Sequence, residues 1–140
     1  MAKILIADDN IQIRGGLRQL LSTHADWEVC GEATDGVDAI QKSRELTPDV
    51  IILDLLMPGL NGIDAAKAIA EVSPKIPILL WSLYLSPELI DRARSVGIAG
   101  VLPKGNVQEL LSGLEILLDG GTFFAPPSDP MVKPASHRHS

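Results

Sequence analysis

A chain of 140 residues with 46% apolar and 21% charged residues has the size and composition of one ordinary globular domain with a well-buried core. Its net charge of −6 argues against sequence-independent nucleic-acid binding, which needs a basic surface. No run approaches the roughly 20 apolar residues that span a bilayer, and Met1-Ala2-Lys3-Ile4 enters a strand without the basic, apolar and cleavage regions of a secretory signal, so a cytoplasmic protein without membrane contact is expected.

The first predicted strand, Ile4-Leu5-Ile6-Ala7, ends on Asp8-Asp9. The helix after it carries Ile13, Leu17, Leu20 and Leu21 on one face, although Gly15-Gly16 weakens it by up to about 1 kcal/mol per glycine. In the second strand Trp27, Val29, Gly31 and Ala33 alternate with Glu28, Cys30 and Glu32, the mark of an edge strand with one wet face. Cys30, the single cysteine, reads there as a small hydrophobe. The next helix turns Val37, Ile40 and Leu46 to the core. Val50-Ile51-Ile52-Leu53 then ends on Asp54, and Ile78-Leu79-Leu80-Trp81 ends on Ser82. Leu89, Ile90, Ala93 and Val96 stripe the following helix, and Val101-Leu102-Pro103 ends on Lys104. The last helix carries a stripe of Val107, Leu110, Leu111, Leu114, Leu117 and Leu118. Ile116 falls opposite Val107, a candidate contact for a homodimer through the last helices. Beyond Gly120-Gly121 come Pro126, Pro127, Pro130 and Pro134 and the end His137-Arg138-His139-Ser140. The expected division is therefore a domain over 1–124 and a proline-rich, flexible tail over 125–140.

Short apolar strands alternating five times with helix-length segments predict an α/β fold, a flavodoxin-like (βα)5 three-layer sandwich. An edge position for the second strand selects the sheet order 2-1-3-4-5, which makes Asp8-Asp9 and Asp54 neighbours. Parallel strands share a carboxyl end, so three acids, a hydroxyl and a lysine converge on one edge. Taken singly, Asp8 reads as a helix cap and Ser82 as a turn residue; Asp54, after four apolar residues of a central strand, has no cap to make. Three close carboxylates call for a cation, and oxygen ligands suit Mg²⁺, which is typically held by one or two carboxylates plus a phosphate oxygen. Lys104 adds a point charge for phosphate and Ser82 a donor. The phosphoryl group is either brought by a ligand or carried covalently on Asp54; the spacing does not choose.

A resemblance does. Asp8-Asp9, Val50 to Asp54 followed by Met57-Pro58-Gly59-Leu60-Asn61-Gly62, Ser82 and Lys104 resemble, in order and at the right strand ends, the receiver domain of two-component response regulators over about residues 3–124. Asp26-Trp27-Glu28-Val29, Gly31-Glu32-Ala33 and Gly120-Gly121-Thr122-Phe123 are similar to receivers that carry a LuxR-type helix-turn-helix output. Only the tail follows here, too short and proline-rich to fold as a DNA-binding domain, so the chain itself is not expected to bind nucleic acid; Met1 and the tail favour a natural single-domain protein over a piece of a longer regulator. The resemblance implies Asp54 as phosphoacceptor, with Mg²⁺ held by Asp9 directly, by Asp8 mainly through water, by Asp54 and by the Leu56 backbone carbonyl. It implies Lys104 and Ser82 as the phosphoryl-binding and switch residues. The partners it implies are a sensor histidine kinase or histidine phosphotransfer protein and a downstream protein; the chain is a phosphoacceptor, not an enzyme beyond its own phosphorylation and dephosphorylation.

Four departures from the family pattern flank these residues. Val101 stands where a switch aromatic is expected, and Tyr84 lies elsewhere. The position after the hydroxyl, usually Ala or Gly, is the bulky Leu83. Leu56 is apolar where many relatives are polar, and with Tyr84 it predicts exclusion of water and slow phosphoryl loss. Pro103-Lys104-Gly105 replaces the common Lys-Pro pair. Val101 and Leu83 keep open a second reading, a phosphorylation-independent interaction module of the same fold. A phosphatase-like enzyme ranks third, because no further general acid or substrate-pocket signature is present.

Overall fold

The computed structural model describes residues 1–128; Pro130, Pro134 and the His137 to Ser140 end of the expected tail lie outside the described residues. In chain order the elements are β1 (Ala2–Ala7), α1 (Ile11–Leu21), β2 (Trp27–Ala33), α2 (Gly36–Leu46), β3 (Val50–Asp54), α3 (Gly62–Val72), β4 (Ile78–Ser82), α4 (Pro87–Ser95), β5 (Gly100–Pro103), α5 (Val107–Leu118) and β6 (Phe123–Phe124). β3 and β4 are buried along their whole length, as parallel strands covered by helices on both faces must be. The parallel sheet runs β2-β1-β3-β4-β5-β6. This is the flavodoxin-like order, with one strand more than expected.

Each helix starts on a short polar residue: the side chains of Asn10, Asp35, Asn61, Ser86 and Asn106 accept from backbone N–H groups of the first turn. Such caps satisfy donors that have no partner inside the helix. They also fix every helix N-terminus just past the carboxyl end of the preceding strand, so five loops and five helix starts gather on one edge of the sheet.

Three readings of the sequence are corrected. Val37 is 65% exposed; α2 instead buries Gly36, Ala39 and Ser43 and packs against α3. A methyl group on Gly36 would come within 2.7 Å of the Leu60 carbonyl oxygen, so close approach, not apolar bulk, decides which face of α2 goes in. Val107, at the open first turn of α5, is exposed as well. In β2 the register steps from Ile4↔Val29 to Leu5↔Gly31, leaving Cys30 as the extra residue of a bulge that breaks the expected alternation. Cys30 is half-buried, and burial raises its thiol pKa. Ile116 is partly exposed, as expected, but its Cγ2 lies where a methyl on Gly121 would meet it at 2.9 Å, so it packs over the turn that ends α5.

After that turn the chain runs back parallel to β5. Phe123 N–H donates to the Ala99 carbonyl at 3.0 Å and Ala125 N–H to the Val101 carbonyl at 2.9 Å. The Arg94 guanidinium sits 4.2 Å from the Phe124 ring centroid, and Ala125 is buried. Ser128 then grips the loop after β4 twice: its N–H donates to the Leu85 carbonyl at 2.7 Å, and its Oγ accepts from Leu85 N–H at 2.9 Å. The first residues assigned to the tail are therefore seated on the domain.

Candidate functional site

Asp54 closes β3, in register with Trp81 of β4, and Asp8 follows β1, held to β2 by a 3.0 Å bond from its N–H to the Ala33 carbonyl. Both are nearly enclosed, at 6% and 2% exposure, while Asp9 is exposed. Carboxylate oxygens of all three lie within 4.8 Å of one another. Lys104, just past β5, reaches between two of them: Nζ is 3.1 Å from Asp54 Oδ1 and 3.2 Å from Asp8 Oδ2. Its backbone is fixed by donation of its N–H to the Ser82 carbonyl at 2.8 Å. The Trp81 indole N–H, 3.1 Å from the Pro103 carbonyl, holds β5 from the other side, and the Trp81 ring lies 5.8 Å from Nζ.

The electrostatics are unbalanced. Burial raises the Asp54 pKa, the Asp8 charge raises it further, and Lys104 opposes both. Burial alone would lower the Lys104 pKa, but the hydrogen bond and charge of Asp54, with Asp8 behind them, raise it. Three carboxylates share one ammonium, so the pocket has the charge and the hard oxygen donors that suit Mg²⁺.

Asp8 is not a helix cap. Asn10 caps α1, its Oδ1 accepting from Gln12 N–H at 2.9 Å and Ile13 N–H at 3.1 Å, while Asp8 Oδ1 accepts from Asn10 N–H at 2.9 Å, which leaves Oδ2 for Lys104. Ser82, buried at the end of β4, does close a turn: its Oγ donates to the Tyr84 carbonyl at 3.2 Å. Leu56 N–H points at Asp54 Oδ1 from 3.4 Å, at the margin of a hydrogen bond. The side chains of Leu56 and Leu83 are 70% and 63% exposed and Tyr84 is 36% exposed, so these residues stand on the rim without packing into the lid that water exclusion would need. Val101 is fully buried in β5 opposite Leu80. Gly105 has φ 106°, a conformation that favours glycine after Lys104.

Two contributors were not among the expected site residues. Arg14, on the first turns of α1, is 8% exposed; its Nη1 donates to the Asp8 carbonyl at 2.7 Å and its Nε to Glu32 Oε1 at 2.8 Å. Arg18 holds Glu32 Oε2 at 2.7 Å, and this bond, with that of Arg14, lowers the Glu32 pKa against the effect of burial. The partners sit on another strand, beyond the reach of local periodicity. The second is Gly62, whose N–H donates to the Leu55 carbonyl at 2.8 Å. A methyl there would lie 2.5 Å from the Asp54 carbonyl oxygen and 2.8 Å from Leu55 Cα. Gly62→Ala is expected to lower the unfolding free energy by roughly 1–3 kcal/mol, the cost of overpacking against backbone, as measured by urea denaturation.

This sheet order with an acid pocket and a lysine at its carboxyl edge defines a receiver of two-component signalling, a signalling domain and not a classical enzyme. Residues 4–115 match the model of the response regulator receiver domain, and the chain belongs to that family. It is 32% identical over 125 residues to the response regulator protein VraR of Staphylococcus epidermidis, covering 89% of this chain and 60% of VraR; the chain thus spans well under the full length of that relative. Among solved structures it resembles a LuxR-family response regulator from Aurantimonas sp. SI85-9A1, with TM-score 0.86, 29% identity and coverage of 90% and 91% of the two chains. It also resembles the isolated receiver of RcsB from Salmonella enterica serovar Typhimurium, solved with the phosphomimetic BeF3⁻, with TM-score 0.81, 28% identity and coverage of 89% and 93%. No helix among the described residues is long and apolar enough to cross a membrane.

Proposed function

We propose that the chain is a cytoplasmic phosphoacceptor switch: Asp54 takes a phosphoryl group from a histidine of a sensor kinase or phosphotransfer protein, with Mg²⁺ bound, and partner affinity changes as a result. The observation that carries this reading is the bridge of Lys104 between Asp54 and Asp8 in a member of the receiver family; the BeF3⁻ reported with the RcsB receiver accords with it. Asp54 attacks phosphorus, the bond from phosphorus to the donor nitrogen breaks, and the donor imidazole leaves. Asp8, Asp9, Asp54 and the Leu56 carbonyl would hold Mg²⁺, which supplies charge neutralisation for a transfer that needs positioning more than covalent assistance. Lys104 already lies on Asp54 and would keep an oxygen of the phosphoryl group; Ser82 would exchange the Tyr84 carbonyl for another. Nearly two added negative charges bias an equilibrium between loop and helix arrangements, read by a downstream protein or by a second copy through the last helices.

Incubation with acetyl phosphate and Mg²⁺, followed by intact-mass measurement, is expected to show one added phosphoryl group on the wild type and none on Asp54→Asn. Absence on the wild type, or persistence in the variant, would overturn the proposal. One observation favours a second reading: Val101 is enclosed in β5, so position 101 offers no ring to couple the Ser82 loop to the α4 side. A chain that takes up no phosphoryl group yet binds its partner would be the phosphorylation-independent interaction module.

A further inference from the structure

The peptide group that joins Asp8 to Asp9 has its carbonyl held by a side chain. Past Ala7 the ladder between β1 and β2 ends, with the Asp8 N–H on the Ala33 carbonyl. The Asp8 carbonyl then receives Arg14 Nη1 at 2.7 Å. The same guanidinium gives its Nε to Glu32 Oε1 at 2.8 Å, and Arg18 holds the other Glu32 oxygen at 2.7 Å. The two sides of Arg14 are thus fixed at once, one by β2 and one by the loop, in a setting where Arg14 is 8% exposed. The Asp8 side chain has further partners in Asn10 N–H and Lys104. Asp9 is exposed, and none of the side-chain hydrogen bonds or ion pairs among the described residues involves its carboxylate. What aims it is therefore the backbone.

We infer that Arg14, braced by Glu32 and Arg18, is a positioning residue for the metal site: by fixing the Asp8–Asp9 peptide plane it sets the direction in which Asp9 offers its carboxylate to Mg²⁺. The inference rests on the metal reading of the pocket given above. Its chemistry is that of outer-shell groups, which orient ligands without touching the ion and whose loss commonly weakens metal binding by about 10- to 100-fold. Lysine cannot replace arginine here. The planar guanidinium serves two acceptors along two fixed directions, whereas an ammonium on a flexible stem is a point charge.

The test is direct metal binding, read as free Mn²⁺ by electron paramagnetic resonance during titration and repeated with Mg²⁺ in competition. Arg14→Lys is expected to raise the Kd by about tenfold or more while keeping a cooperative thermal unfolding transition. Glu32→Gln, which removes the charge but leaves an oxygen acceptor, is expected to fall between Arg14→Lys and the wild type, and it serves in place of Arg14→Lys if that variant does not fold. In an Asp9→Asn background the Arg14→Lys effect should largely vanish, because the aimed ligand is gone; a merely structural role would leave the effect unchanged there. Wild-type binding with all Arg14 and Glu32 variants within twofold of it, or an equal Arg14→Lys effect in the Asp9→Asn background, would overturn the inference alone. A wild type that binds neither ion would overturn the metal reading and the inference with it.

Discussion

In metal-free solution near neutral pH, Asp54→Asn is expected to be more stable than the wild type by on the order of 1 kcal/mol, although it loses the proposed acceptor. Carboxylate oxygens no farther apart than 4.8 Å repel by roughly 3.5 kcal/mol or more per pair at an effective dielectric of about 20. Part of that returns when Lys104 loses one of its two ionic partners, and the amide oxygen of Asn still accepts from Nζ. The pH dependence follows from the direction of the Asp54 shift. Its pKa is higher folded than unfolded, so the associated stability is complete below the unfolded value and is lost as pH rises through the folded value. Urea denaturation from weakly acid to neutral pH should show this decline in the wild type and a flatter profile in Asp54→Asn. Saturating Mg²⁺ should reverse the order, since about 100-fold excess over Kd adds about 2.7 kcal/mol and the variant offers the ion one carboxylate fewer. Equal pH profiles for the two proteins would refute the account of the pocket as a reservoir of unneutralised charge.

Lys104→Met should have the larger and opposite effect. Nζ lies 3.1 Å and 3.2 Å from two enclosed carboxylates, and its removal leaves both without a counter-charge. Breaking a buried pair from one side typically costs about 3–5 kcal/mol, and that is the loss expected at neutral pH without metal. Asp54 would then titrate higher still, so the loss should shrink as the solution is acidified. Two rescues should work by the same logic: Mg²⁺, and the second substitution Asp54→Asn. The wild-type pair has its own signature at the other end of the scale. The Lys104 pKa is raised on folding, so the stability it contributes is present below its unfolded value and disappears only as pH climbs through the folded one. A Lys104→Met protein as stable as the wild type at neutral pH would mean that the bridge is solvated and weak.

The strand ends were readable because an uninterrupted apolar run followed by one polar residue is a local signal, and parallel strands bring such ends together. Asp8, Asp9, Asp54, Ser82 and Lys104 needed nothing else. Arg14 was not readable, because its meaning lies in a carbonyl six residues back and a carboxylate on another strand. Val37 was misassigned for a related reason: the periodicity that points apolar residues inward cannot register that Gly36 and Ser43 permit a closer approach on a different face. β6 has two residues, too few for any pattern, and depends on β5 offering an open edge. The rim carried a subtler error. Apolar Leu56, with Tyr84, suggested exclusion of water from the acids, yet Leu56 is 70% and Tyr84 36% exposed, because loops at a sheet edge have no layer above them to pack against.

The double grip of Ser128 on Leu85 relocates the exit of the chain. α5 ends near the amino edge of the sheet, where Gly120 and Gly121 lie among Pro77, Ala99 and Asp49. From there the polypeptide runs alongside β5, pairing at Gly100 and Val101, to Ser128 on the loop after β4. The last described residue is thus anchored at the carboxyl edge of the sheet and not at the far pole, with two intervening residues between Ser82 and the anchoring Leu85 amide.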